Sequence, residues 1–100
     1  MLKTMKGALR IMKIQKSATA GTMESSDVYV EIEPCDNGIN IELESVVEKQ
    51  FGAKIKEAVC DVLCQTGIES ANVHIVDRGA LECVIRARVE TAIMRGKGEQ

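Results

Sequence analysis

A chain of 100 residues with 45% hydrophobic and 28% charged side chains has the size and balance of one globular domain around one core. Its formal net charge of -2, with both signs interspersed, gives no basic stripe for a nucleic-acid backbone, and 2% aromatic residues give no platform for stacking bases. The core must be aliphatic, because Tyr29 and Phe51 are the only aromatic side chains.

Residues 1–13 read as a flexible basic leader, carrying Lys3, Lys6, Arg10 and Lys13. It lacks the unbroken apolar run of an export signal and the length of a membrane span, which points to a cytoplasmic protein with no membrane partner. A single domain is expected over 14–96, with 97–100 as a tail. Residues 14–27, IQKSATAGTMESSD, are small and polar without helical period, and predict an exposed, extended or looped arm.

Val28, Val30 and Ile32 then alternate with Tyr29, Glu31 and Glu33, as a half-buried strand requires. PCDNG at 34–38 supplies turn chemistry, and Ile39, Ile41 and Leu43 resume the alternation, so the two runs predict a hairpin. Ser45 and Glu48 have the spacing of a capping box. Val47, Phe51, Ile55, Ala58, Val59 and Val62 recur every three or four residues, predicting a helix over about 46–65 that Gly67 ends. Val73 and Ile75 mark a third strand, and Asp77-Arg78-Gly79 a turn.

Beyond that turn the pattern divides. Leu81, Cys83, Ile85, Ala87 and Val89 alternate as a strand, whereas Leu81, Ile85, Val89, Ala92 and Ile93 partly follow helical spacing. A helix would leave Arg88 close to its apolar stripe, so the reading favours a fourth strand to about Val89 and a short helix to about Arg95. The expected class is α+β, in the order β-β-α-β-β. It has a mostly antiparallel four-stranded sheet, one long helix on one face and a short C-terminal helix.

Catalytic patterns are absent: no Gly-x-Ser-x-Gly flanks a serine, no glycine-rich loop cradles phosphate, and His74 stands alone on its strand. Cys35, Cys60, Cys64 and Cys83 read as reduced structural thiols, and with one histidine no zinc-ligand set forms, so no metal site is assigned. Arg86-Ala87-Arg88, placed on an outward strand face, predicts a partner-docking surface. No residue is assigned a catalytic role, and the chain is not expected to be an enzyme on its own. The remaining feature is Ser25-Ser26-Asp27, ordinary turn formers on an exposed arm, where an adjacent carboxylate can orient a hydroxyl or bind a cation.

Three stretches in order, AGTMESSDV at 20–28, VEKQFG at 47–52 and DRGALECVIRARVE at 77–90, resemble the acyl carrier protein of citrate lyase, its gamma subunit, from Met12 to about residue 95. In that family the serine after Thr-Leu-Glu carries a CoA-like group through a phosphodiester bond. The matching run is Thr22-Met23-Glu24-Ser25, so the resemblance implies Ser25 as the covalent attachment site, with Ser26 as the competing hydroxyl. The implied group is phosphoribosyl-dephospho-CoA. The implied partners are the alpha (acyl transferase) and beta (citryl lyase) subunits and the enzyme that attaches the group. The implied role is to carry acetyl and citryl thioesters while citrate is cleaved to oxaloacetate and acetate, the thioester making the departing carbanion accessible as an enolate. The carrier subunit of a malonate decarboxylase and an unmodified interaction domain are the alternatives.

Overall fold

Alternating apolar and polar residues build a four-stranded sheet, and two helices close one of its faces. The computed structural model describes residues 13–97; residues 1–12 of the expected leader and 98–100 of the tail lie outside them. The elements are β1 (Ala18–Gly21), β2 (Val28–Glu33), β3 (Ile39–Ser45), α1 (Glu48–Gln65), β4 (Ala71–Asp77) and α2 (Glu82–Gly96). The class is α+β as expected, but the chain order is β-β-β-α-β-α.

Spatially the strands run β1-β2-β4-β3. β1 pairs antiparallel with β2, β2 antiparallel with β4, and β4 parallel with β3, so the sheet is mixed rather than mostly antiparallel. The expected hairpin between residues 28 and 43 is not formed, because β4 lies between those two strands. Burial explains the choice. β4 is buried at Ala71, Val73, Ile75, Val76 and Asp77, whereas Ile39, Ile41 and Leu43 of β3 are only half-buried. The more apolar strand takes the centre, and the glutamate-bearing β3 takes an edge where its outward side chains remain solvated. α1 supplies the crossover that parallel neighbours need.

A hairpin does form one strand earlier. Ala18 faces Ile32 and Gly21 faces Tyr29, which leaves residues 22–27 as its loop. Within the stretch read as an exposed arm, Ala18–Gly21 is thus a paired edge strand, while residues 22–26 are exposed loop. The strand is preceded by an anchor, in which Ile14 is buried in the core and the N–H groups of Gln15 and Lys16 both donate to the Gly96 carbonyl (2.8 and 3.1 Å).

α1 buries Ile55, Ala58, Val59, Val62 and Leu63 as its periodicity requires, but Phe51 stays 48% exposed. It ends in a Schellman arrangement: Ile68 N–H donates to Leu63 O (2.9 Å), Gly67 N–H donates to Cys64 O (3.1 Å), and Gly67 has φ +80°. The expected capping box is replaced by another contact. Val47 is the N-cap residue, and Ser45 Oγ accepts the Val47 N–H (3.1 Å) while donating to Oδ2 of Asp77 (2.9 Å). Asp77 is 1% exposed, and a buried carboxylate demands such a donor.

The C-terminal segment is helical throughout 82–96, correcting the strand expected to Val89. Its buried residues Ile85, Val89, Ala92, Ile93 and Gly96 form one stripe of helical period, which packs with α1 over the inward residues of the sheet. The residues that a strand would turn inward, Leu81, Cys83 and Ala87, are exposed. Ile93→Ala is therefore expected to cost about 2–5 kcal/mol, and Leu81→Ala less than about 0.5 kcal/mol. Urea unfolding of both variants checks the assignment, since a strand through Leu81 would bury that side chain and make Leu81→Ala cost about as much as other core truncations.

Candidate functional site

Ser25 lies in the loop of the β1–β2 hairpin, at the end of the sheet where β3 and β4 finish, since Val28 and Ser45 both pair with Asp77. The connections into α1 and α2 therefore meet the loop there. Asp27 N–H donates to Glu24 O (3.1 Å), closing a turn in which Ser25 and Ser26 are the central pair. Ser26 has φ +65°, the left-handed value that a type II turn places at its third residue and that glycine adopts more readily. Both serines are exposed, and no hydrogen bond engages either hydroxyl among the described residues.

The turn is exposed yet firmly held, and its clamp is the Asp27 carboxylate. Thr22 Oγ1 donates to Oδ2 (2.7 Å), and Val28 N–H donates to Oδ1 (2.7 Å). Arg88, on α2, donates through Nε to Oδ1 (3.2 Å) and through Nη2 to Oδ2 (3.0 Å), a two-pronged ion pair across 61 residues of sequence. The Thr22 hydroxyl, then the Val28 N–H and Arg88, lower the Asp27 pKa from its ordinary 3.8 to about 2. Thr22 Oγ1 also accepts the Glu24 N–H (3.2 Å), so the loop's first limb is fixed to its last.

A second strap comes from the residue after β4. Ser26 N–H donates to Arg78 O (2.8 Å), Arg78 N–H donates to Asp27 O (2.9 Å), and Arg78 Nε donates to Met23 O (3.1 Å). Gly21 completes the entry with φ +89°, and a Cβ there would lie 1.9 Å from the Val28 carbonyl oxygen and 3.3 Å from Cδ of Arg88. Only glycine allows the strand to leave at that angle with Arg88 passing so close.

The residues singled out from sequence separate at this point. Ser25 and Ser26 share the held turn. Asp27 orients the Thr22 hydroxyl rather than a serine, and the cation it binds is Arg88. Arg86-Ala87-Arg88 is not an outward basic face: Arg86 pairs with Asp61 and Glu82 (2.9 Å each), which raise its pKa, and Arg88 turns to Asp27. A helix, unlike a strand, sends positions two apart in different directions. Arg95 donates to Thr19 O (2.8 Å) on β1. His74 stands on the open sheet face, 3.9 Å from Glu31, away from the serines. The four cysteines are free thiols, three of them exposed, so they do not fill the core. Among the described residues no group of three or more His, Cys, Asp or Glu gathers as a metal site.

The profile of the family described as Malonate decarboxylase delta subunit (MdcD) matches residues 15–96. The citrate lyase acyl carrier protein of Escherichia fergusonii is 56% identical over 85 residues, covering 84% of this chain and 88% of that protein. The chain belongs to the citrate lyase acyl carrier protein family. Citrate lyase acyl carrier protein 2 of Salmonella typhimurium is 53% identical over the same shares, and the Haemophilus influenzae PittEE relative is 52% identical over 88 residues, 88% of this chain and 92% of that one. A chain in the crystal structure of a Pseudomonas malonate decarboxylase hetero-tetramer in complex with malonate shares the fold. Its TM-score is 0.73 at 21% identity, covering 85% of this chain and 88% of that one.

Two outcomes follow from the turn. Because its folded pKa is depressed, Asp27 lends stability that is fully present above pH 3.8 and is lost as pH falls through about 2. The Tm difference between the wild type and Asp27→Asn should be constant near neutrality and shrink from about pH 4 to about pH 2; a difference unchanged across that range contradicts the clamp. Ser26→Gly relieves a left-handed residue, a gain partly offset by the freer unfolded chain, so thermal melts should show Tm higher by roughly 2–5 °C.

Proposed function

We propose that this chain is the acyl carrier subunit of citrate lyase and that Ser25 Oγ is the covalent attachment point of phosphoribosyl-dephospho-CoA. The observation that carries the reading is an exposed, unengaged hydroxyl at the head of a turn held from both sides, in a chain of this family. When attached, that group supplies the thiol on which acetyl and citryl units travel between the alpha and beta subunits.

The protein's own residues suit this division of labour. Asp27 cannot serve as a general base for Ser25: both carboxylate oxygens are occupied and its pKa is held near 2, so it has little proton affinity at neutral pH. Removal of the serine proton therefore falls to the attaching enzyme, and the turn contributes presentation. Ser25 is favoured over Ser26 by its place after Thr22-Met23-Glu24 and by the backbone of Ser26, whose N–H is tied to Arg78 and whose φ is constrained. Val46, Phe51 and Leu81, at 65, 48 and 71% exposure, leave apolar surface at the serine end of the sheet, which suits contact with the large subunits that receive the arm.

Cytoplasmic residence and a non-catalytic role belong to the same proposal; no helix among the described residues is long and apolar enough to cross a membrane. The higher identity to the citrate lyase carriers favours citrate over malonate chemistry. Intact-mass measurement of the chain from its native host tests the assignment. The expected result is the added mass of the prosthetic group on the wild type and on Ser26→Ala, and its absence from Ser25→Ala with loss of citrate cleavage by the assembled complex. Retention of that mass in Ser25→Ala refutes the site, and turnover of malonyl but not citryl thioester by the assembled complex refutes the substrate.

A further inference from the structure

Three guanidinium groups bind the hairpin that carries Ser25, and their charges are disposed differently. Arg88 is neutralised by the Asp27 carboxylate. Arg95 reaches the Thr19 carbonyl, back on β1. Arg78 lies against the turn itself: its backbone N–H and C=O bond Asp27 and Ser26, and its Nε reaches across to Met23, two residues before Ser25. Among the described residues no carboxylate pairs with Arg78, and Nε is its one side-chain donor with a partner there. An exposed guanidinium is thus tied to Met23, beside the serine turn, with neither Nη group partnered among the described residues.

A surface arginine ordinarily loses side-chain freedom when it engages a ligand. Here the Nε–Met23 bond and the fixed main chain restrict that freedom beforehand. The uncommitted Nη hydrogens form a planar fork suited to two oxygens of one phosphate, and a phosphodiester remains singly negative at all ordinary pH.

We infer that Arg78 grips the phosphate joined to Ser25 Oγ, neutralising it while the bond is made and holding the root of the arm afterwards. This rests on the carrier reading above. In the loading step the Ser25 oxygen forms a bond to phosphorus in an activated phosphoanhydride precursor. The bond from that phosphorus to its phosphate-type leaving group breaks with its electron pair, and the hydroxyl proton passes to the attaching enzyme. Arg78 exchanges no proton or electron. It is a positioning residue that favours the oxygens on which negative charge gathers.

Expression in the native host, with intact mass followed over time after induction, gives the first measure. Arg78→Gln should load roughly ten- to a hundredfold more slowly than wild type, and Arg78→Lys, which keeps charge without the fork, should fall between them. Loss of the Met23 contact also loosens the turn, so the wild-type protein carries the second measure. Its Arg78 side-chain nitrogen resonances should shift between apo and loaded forms, while those of Arg86 remain in place. Loading of Arg78→Gln within twofold of wild type, or Arg78 resonances that coincide in the two forms, overturns the inference and leaves the Ser25 assignment standing. A wild-type chain that never gains mass in its native host overturns the carrier reading and this inference with it.

Discussion

The structure around the serine depends on one carboxylate. Asp27 gathers a hydroxyl, a backbone N–H and a guanidinium on its two oxygens, and through them joins the start of the loop, the start of β2 and the middle of α2. Each partner is a donor that would otherwise need water at the edge of the core, and a carboxylate can accept from all of them at once. Thr22 and Asp27 fix the loop from inside, while Arg88 fixes it to the helix layer. Gly21 makes room for that third arm. The exposed turn is consequently tied to the rest of the domain at several points.

That rigidity changes how a carrier of this kind is pictured. A covalently attached group has its own rotatable bonds, so the protein need not add motion of its own to bring an acyl unit to two sites. A stationary root confines the volume swept by a flexible arm, and the local concentration at a partner site depends on that volume. On the proposed carrier reading, the domain resembles a fixed mounting more than a mobile limb.

Much of the architecture was legible in the sequence, and the failures have physical causes. The α1 stripe, the Gly67 terminus and the alternation of β2 and β4 report local periodicity, which a single sequence carries well. Pairing order is not local: nothing between residues 28 and 43 announces that β4 will separate those strands, although the denser apolar pattern of Ala71–Asp77 was the available signal. Ser45 looked like a helix cap because the spacing was right, but its hydroxyl serves a buried aspartate 32 residues away. Arg88 is the instructive case. Its position beside the apolar stripe argued against a helix, yet it lies there because the side chain must cross the layer boundary to reach Asp27. Ser25 is proposed through the resemblance, while the contacts by which Thr22, Arg78 and Arg88 hold its turn required the tertiary structure.

The central position of β4 bears on how the chain matures. β1 and β2 can meet early, but β3 has no neighbour until residues 71–77 have been synthesised, and a lone two-stranded ribbon is marginal in water. Arg88 emerges later still. The segment bearing the serines therefore acquires its native contacts only once residues 78 and 88, both C-terminal to β4, are free to reach it.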